Sequence, residues 1–463
     1  MPAINVDQAL QLALTFRNTG QRAAAESLYR QVLSVLPAHP EALDGLGLLH
    51  IEMNRAAEAV HLLQQALAQA PRQARYHLDL AKAYQQLGQT DEARASRRRA
   101  RNLEASPTGG ATSSRRRLLY GGLPDEGFGW GVCNRQLVRA LSARLDMETL
   151  GPVQNLTECF EGPVLMPLID EALRPFSPVR GRRNFGYVFF ESALLPNAIS
   201  HAARYDGIFC GSSWCRQRLR ESGIDHGTLL VQGVDHGVFH PPSEPTTPSV
   251  GTLRIFSGGK FEFRKGHDIV IAAFRQLLDI HPRARLVCAW RNYLPATIGS
   301  MKQSPHVRLP EGHFDTQEDF FHALLRQNGI PGENFEIIPA LSQPALADIM
   351  RSTDLGVFPN RCEGGTNLVL MEYLACGRPV VASGATGHAD VLQPDYAVLT
   401  PPHLTRQFWD EPKVAEITAG MTQILEDPAR RLKLGAAASE AMLPWTWDRA
   451  AQTIVETIFP AGD

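Results

Sequence analysis

Residues 355–390 read LGVFPNRCEGGTNLVLMEYLACGRPVVASGATGHAD, and the order of residue types in this stretch decides how the rest of the chain is read. The apolar run 355–358 predicts a buried strand, and a Pro-Asn-Arg-Cys turn follows it. Glu363-Gly364-Gly365-Thr366-Asn367 then sets glycine and polar residues at a strand-to-helix junction. Leu368, Val369, Met371, Leu374 and Ala375 recur at helical spacing, Cys376-Gly377 ends the helix, and residues 379–382 open the next strand. The unit is strand, glycine loop, helix, strand. Unpaired N–H groups at such a helix start, with the helix dipole behind them, favour an anion. Glu372 lies further into the same helix, where a carboxylate can accept hydrogen bonds from sugar hydroxyls. Taken alone, the glycines also fit an ordinary βαβ turn.

The detail resembles the nucleotide-sugar site of the retaining glycosyltransferases of family 4, which have the GT-B fold. There a glutamate, a short Gly-containing segment, a helix and a second glutamate precede an A-C-G-x-P-V-V turn. Here these elements read Glu363, Gly364-Gly365-Thr366-Asn367, Glu372 and Ala375-Cys376-Gly377-Arg378-Pro379-Val380-Val381. The interval between the two glutamates is one residue longer than in the family, which bears on the role of Glu363 rather than on that of Glu372. The resemblance covers about residues 118–460 and is densest at 254–270 and 337–390. It implies an α/β GT-B fold, two Rossmann-like domains facing a cleft.

Upstream, residues 254–257 predict a strand, and Gly258-Gly259-Lys260-Phe261-Glu262-Phe263-Arg264-Lys265-Gly266 follows. Lys260 and Lys265, each near glycine, form a compact cationic pocket. Fixed donors aimed at a departing diphosphate lower a barrier by roughly 3 kcal/mol each. The family has arginine and lysine at these two places; Lys260 stands for the arginine as a point charge rather than a planar fork, and Arg264 is the reserve for a bidentate contact. The resemblance thus implies a donor site of Lys260, Arg264, Lys265, Gly364, Gly365, Thr366, Asn367, Leu368 and Glu372. Glu363 would face either the sugar or the lysine pair. No D-x-D metal pattern is evident, and the family replaces metal charge with lysines and a helix dipole. The expected co-substrate is a UDP- or GDP-sugar, with no metal and no other cofactor.

The first α/β half opens with a strand at 118–120, a loop containing Gly121, Gly122, Gly127, Gly129 and Gly131, and a helix over about 132–144. The loop lacks G-x-G-x-x-G spacing with a ribose-binding acid, so a dinucleotide site is not read here. By resemblance, Gly129 and Gly131 would let the backbone approach donor or acceptor; a glycine-rich surface turn is the competing reading. Strands are expected at 164–167, 185–190, 207–210 and 229–231. Glu191 follows a strand end and is a candidate for orienting an acceptor hydroxyl, though an acid at a helix start fits equally. Gln232-Gly233-Val234-Asp235, with Phe239 and Pro241, resembles the end of the family's N-terminal half. The Pro/Thr/Ser-rich residues 243–248 read as a hinge. Residues 118–245 are therefore the N-terminal Rossmann-like acceptor domain and 246–463 the donor domain, closed by a crossing helix over 445–458. Residues 291–333 read as a long polar segment.

The first hundred residues repeat at 34. Gly20, Asn54 and Gly88 share one phase, Ala25, Ala59 and Ala93 another, Leu12, Leu46 and Leu80 a third, and Phe16, His50 and Tyr84 a fourth. Pro37 and Pro71 match. Period and residue types resemble tetratricopeptide repeats, giving an all-α domain of three repeats over 1–104 and a flexible linker over 105–117. The repeats carry no chemistry but offer a groove to a protein partner or a second copy of the chain. The arginine run 97–101 reads as a solvated face or a basic patch.

With 463 residues, net charge −2, 44% hydrophobic and 20% charged residues, the chain has the composition of a soluble globular protein of about three domains, and nothing calls for nucleic acid. Seven scattered cysteines without C-x-x-C spacing argue against zinc and a disulfide framework and for a reducing, cytoplasmic setting. No signal peptide or membrane span is read, so membrane contact at the inner face would be peripheral. The expected function is transfer, with retention, from a nucleotide-diphosphate sugar to an acceptor hydroxyl. The repeats give the layout of protein O-GlcNAc transferases, by architecture only, and so a protein acceptor. A surface polysaccharide or glycolipid transferase using the repeats for assembly, or a non-catalytic scaffold, stays open.

Overall fold

The computed structural model describes residues 6–18, 21–71, 73–104, 116–122, 129–149, 160–243, 252–292, 295–405 and 409–460. The chain divides into two compact units, 1–114 and 115–463.

The first unit is six helices, α1 (Val6–Asn18), α2 (Arg22–Val35), α3 (Pro40–Glu52), α4 (Ala56–Gln69), α5 (Ala74–Gln86) and α6 (Thr90–Glu104). Odd-numbered helices start at 6, 40 and 74 and even-numbered ones at 22, 56 and 90, so each 34-residue period is one helical hairpin. Ala25, Ala59 and Ala93 are buried, as close helix packing requires. Asn54 (φ 59°) and Gly88 (φ 74°) take the left-handed turn between the helices of a hairpin, which explains why these two share a phase.

The second unit holds two parallel six-stranded sheets. The first contains β1 (Arg117–Tyr120), β2 (Asp146–Thr149), β3 (Phe160–Leu168), β4 (Gly181–Val188), β5 (Gly207–Cys210) and β6 (Gly227–Leu229), in the order β2-β1-β3-β4-β5-β6. Helices α7 (Gly129–Ser142), α8 (Ala198–Ala202) and α9 (Ser213–Glu221) connect them. The second contains β7 (Arg254–Gly259), β8 (Arg285–Trp290), β9 (Phe335–Ile337), β10 (Leu355–Phe358), β11 (Val380–Ser383) and β12 (Val398–Thr400), in the order β12-β11-β10-β7-β8-β9. Its helices are α10 (His267–Leu278), α11 (Gln317–Gln327), α12 (Gln343–Arg351), α13 (Leu368–Ala375), α14 (Val414–Leu425) and α15 (Pro428–Met442). Strand order in the second sheet reverses between β7 and β10. At such a switch point the loops beyond the strand ends diverge and leave a crevice for ligand. Those loops are residues 260–266 and 359–367, the two stretches singled out from sequence.

The final helix, α16 (Trp447–Ile458), returns to the first sheet: Ala450, Ile454 and Ile458 pack with Leu118, Leu137 and Phe185. Trp445 O accepts from the Val234 N–H at 2.9 Å, and a Cβ on Gly233 would come within 2.1 Å of Trp447 N. Gly233 is therefore glycine because the crossing backbone touches it.

Several readings shift. Arg117 lies in β1, not in a linker; residues 105–115 and residues 244–248 of the hinge lie outside the described residues. The polar segment 291–333 is not one loop: α11 caps on Thr316, whose hydroxyl accepts from Asp319 N–H, and buries Phe321, Leu324 and Leu325 against Phe261 and Trp290. Its helical spacing and cap were present in the sequence.

The two loops at the switch point are pinned together by Arg361, whose side chain is fully buried. Its Nη1 and Nη2 donate to both Asp268 oxygens at 2.8 and 2.9 Å, Nε reaches Glu411 at 2.9 Å, and Nη1 also donates to Phe263 O at 2.7 Å. The guanidinium carbon lies 3.7 Å from the Phe263 ring centroid. On the main chain, Arg361 N–H donates to Arg264 O at 2.7 Å. Removing the cation strands the fully buried Asp268, and breaking such pairs costs about 3–5 kcal/mol. Arg361→Leu should therefore lower unfolding free energy by about that amount in a denaturant titration, and Arg361→Lys should not restore it, because an ammonium cannot serve Asp268 and Glu411 as a fork.

Candidate functional site

A cavity of about 660 Å³ opens at the switch point, between the two sheets' loop ends. Lys260, Arg264 and Lys265 from the loop after β7, and Glu363, Gly365 and Asn367 from the loop after β10, line its middle. Leu368 and Glu372 of α13 and Glu191 from the first sheet's side also reach it.

The charged groups form a row. Lys265 Nζ lies 2.6 Å from Glu363 Oε1. Arg264 Nη1 lies 3.4 Å from Glu363 Oε2 and 3.5 Å from Glu191 Oε1. Glu363 thus faces the cations, one of the two orientations left open by the sequence. Burial alone would raise its pKa, but Lys265, Arg264 and, less strongly, His388 outweigh that and hold it at about 2. Burial pushes Lys265 the other way, down from the ordinary lysine value, against the pull of Glu363. Lys260 is the least engaged cation: its side chain is 43% exposed and 3.9 Å from Glu262.

Glu372 differs from Glu363. Its carboxyl is buried and, among the described residues, makes no hydrogen bond; burial, with Asp235 adding to it, raises its pKa to about 8. Glu372 is therefore largely neutral at pH 7.

The helix start beside these groups is strained and buttressed. Asn367, which precedes α13, sits at φ 63°, rare for a non-glycine residue. Its amide lies 3.1 Å from His388 Nε2, and His388 Nδ1 lies 3.1 Å from Ser383 O. The Ser383 carbonyl can only accept, so Nδ1 carries the proton and Nε2 accepts from the Asn367 amide. Burial lowers His388 to about 4, so the ring is neutral and the arrangement persists. Below it, Thr386 Oγ1 accepts from Glu363 N–H at 3.0 Å, and Gly387 is so close to Gly365 that a Cβ would stand 1.7 Å from its carbonyl oxygen.

Other expected site residues are placed elsewhere. Gly364 serves the seam between the halves: a Cβ there would meet Phe190 O at 2.4 Å, and its own carbonyl accepts from Ser212 Oγ at 2.7 Å. Thr366 is fully buried and donates to Met371 Sδ at 3.1 Å. Gly131 is buried inside α7, and its neighbours Trp130 and Val132 line the cavity instead. Gly129 is the first residue of α7, and the preceding residues 123–128 lie outside the described residues.

Sequence reasoning missed Arg361, His388, Trp130 and Phe189. The partners of Arg361 lie 93 and 50 residues away, so nothing local could signal it. Gly387-His388 stood in the opening stretch without a role. The apolar residues Ile338, Pro339, Ala340 and Leu341 also line the cavity. Among the described residues no group of three or more His, Cys, Asp or Glu is gathered to hold a metal, and no helix is long and apolar enough to cross a membrane.

Comparison with known proteins supports the fold and the motifs. Residues 245–441 match the family described as Glycosyl transferases group 1, and residues 19–78 and 50–100 match a tetratricopeptide repeat family. A curated relative, D-inositol 3-phosphate glycosyltransferase 1 of Catenulispora acidiphila, is 29% identical over 232 residues, 48% of this chain and 49% of the relative. The chain spans about half the length of such relatives. Among solved structures, sucrose-phosphate synthase from Thermosynechococcus elongatus superposes with a TM-score of 0.53 at 16% identity, covering 74% of this chain and 98% of the other. HepE of Anabaena, in complex with UDP and glucose, gives a TM-score of 0.53 at 13% identity, covering 75% and 100%. At such identities these two bear on fold alone, and the fold is GT-B. The chain thus carries a glycosyl transferases group 1 domain in its C-terminal half and tetratricopeptide repeats at its N-terminus.

Proposed function

We propose that the chain transfers a sugar from a nucleotide-diphosphate sugar to an acceptor hydroxyl, with retention at the anomeric carbon. The observation that carries this reading is the convergence of Lys260, Arg264, Lys265, the start of α13 and the buried Glu372 on one cavity at a switch point. The diphosphate would meet Lys260 and Lys265 and the outward amides of the α13 start; Glu372 would take the ribose hydroxyls. As the bond from the anomeric carbon to the phosphate oxygen breaks, its electron pair stays on the diphosphate, where these cations stabilise it without a metal. The acceptor oxygen bonds to the same face of that carbon, and its proton leaves to the departing phosphate oxygen. Glu191 is placed by this reading at the acceptor side, and the apolar residues 338–341 at the base.

The repeats supply a protein-docking groove. The acceptor hydroxyl then belongs either to a docked protein or to a glycan, with the repeats serving assembly in the second case.

A thermal-shift panel of UDP, GDP, ADP and their sugars should show one nucleotide raising the melting temperature, since a ligand bound only by the folded state stabilises it. With that donor, Lys265→Ala should lower kcat/KM about a hundredfold, the loss of one well-placed cation, and Glu372→Ala should weaken nucleotide binding. Sugar transfer unaffected by both changes would overturn the reading.

The raised pKa of Glu372 has a sign. Below about 8 the free site is protonated, while hydroxyl donors favour the carboxylate, so binding releases a proton. Nucleotide affinity should therefore rise with pH, by at most about tenfold per unit, and level off above about 8. Calorimetry from pH 6 to 9 reads this, and Glu372→Gln should flatten that profile.

Deleting residues 1–104 should leave transfer to a small free acceptor intact. Loss of transfer to a protein acceptor on the same deletion would assign the repeats to acceptor docking, and unchanged transfer would assign them to assembly.

A further inference from the structure

His388 is a buried histidine to which the proposed reaction gives no task. It is 1% exposed and does not line the cavity. Both ring nitrogens are committed, Nδ1–H to the Ser383 carbonyl and Nε2 to the Asn367 amide, each at 3.1 Å. Burial lowers its pKa to about 4, so it exchanges no proton near neutral pH. A ring so placed can hold a neighbour but cannot reach a proton on a substrate.

The neighbour needs holding. Asn367 stands directly before α13 at φ 63° and ψ 91°, outside the small left-handed well. Glycine takes such a conformation freely, whereas asparagine takes it only when its surroundings enforce it. Asparagine in this position ordinarily caps the helix, its side-chain oxygen accepting from N–H groups of the first turn. Asn367 makes no such bond. Its buried amide is turned to His388 instead. Its side chain therefore leaves the first N–H groups of α13 open where Asn367 and Leu368 line the cavity.

The surrounding loops are tied at the same place. Among the described residues four non-glycines take positive φ, and two of them, Asn367 and Thr386, lie in the loops that His388 joins. Thr386 is β-branched and sits at φ 55°, and strain of this kind gathers at functional sites. Its Oγ1 accepts from Glu363 N–H at 3.0 Å, and Gly387 N–H donates to Glu363 O at 3.0 Å. Asp390, at the end of the same turn (Thr386–Asp390), accepts from Ser213 N–H at 2.6 Å. The turn is thus fixed on either side of His388.

Resting on the reading of the cavity as a nucleotide-sugar site, we infer that His388 is a positioning residue for the donor diphosphate: it holds Asn367 left-handed and its side chain off the helix start, so that the first N–H groups of α13 face the anion. N–H groups already aimed at an anion need no reorganisation to bind it. Without the acceptor nitrogen, the Asn367 oxygen turns to the ordinary cap and occupies the donors that the diphosphate needs.

The test is a double-mutant cycle on the full chain, read by calorimetry as the Kd of whichever of UDP, GDP and ADP binds the parent. His388→Asn keeps a donor for Ser383 but is too short to reach Asn367. It should raise that Kd about tenfold in the parent background. In the Asn367→Gly background it should raise it less than about twofold, because glycine needs no holding and has no oxygen to cap with. An unchanged Kd in His388→Asn overturns the inference, and so does an equal loss in both backgrounds, which a merely structural histidine would give. If His388→Asn does not fold, Asn367→Ala replaces it: alanine keeps the strain and lacks the amide, so its Kd should exceed that of Asn367→Gly about tenfold, and equal values overturn the inference. If none of the three nucleotides binds the parent, it is the donor reading that fails. The clasp is then judged by hydrogen exchange: the amides of residues 367–370 should exchange faster in His388→Asn than in the parent, with no such change in the Asn367→Gly background, and lack of that difference overturns it.

Discussion

The buried Arg361 is the constraint on which the site depends. Two loops leave the second sheet at β7 and β10, nearly a hundred residues apart in sequence, and each carries half of the charged row. Arg361 satisfies Asp268 at the start of α10, Glu411 far downstream and the Phe263 carbonyl with one planar group. A guanidinium can do this because its donors form a rigid fork and its face stacks on Phe263. A fully buried cation is tolerated only when so completely paired. Its effect is positional: it fixes the main chain on both sides, where Lys265 and Arg264 meet Glu363 at 2.6 and 3.4 Å.

That prior arrangement suits a site that stabilises charge. Lys265 and Arg264 repel each other. Glu363, held ionised by them, compensates both and keeps them aimed. Electrostatic groups already oriented need not reorganise when charge develops. Glu372 is treated differently: burial and the nearby Asp235 raise its pKa to about 8. Two carboxyl groups on one short segment are thus separated in ionisation by neighbours, not by residue type.

The halves are joined as tightly as the loops. Asp390 accepts from the Ser213 N–H at 2.6 Å across the seam, Gly364 has the Phe190 main chain against it, and α16 crosses back to complete the first core. Glycine at 233, 364 and 387 is explained by backbone approaching within the radius of a missing Cβ. The sequence shows these as glycines; for Gly233 and Gly364 the cause lies in a segment distant along the chain.

The sequence by itself determined what repeats and what is local. The helical hairpins followed from a 34-residue period, because each hairpin packs only on its neighbours. The strand at 355–358, the helix at about 368–375 and the lysine loop followed from apolar spacing and turn residues. Lys260, Lys265, Glu363 and Glu372 could be named because their motifs are short and contiguous. Only the tertiary structure decided which way Glu363 faces, that Gly364 and Thr366 serve packing rather than the cavity, and that Trp130 replaces its flanking glycine Gly131 as lining. The orientation of Glu363 depends on Lys265, 98 residues upstream, and the place of Gly364 on Ser212, 152 residues upstream. Orientation and ionisation are set by such neighbours in space, and no periodicity along the chain encodes them.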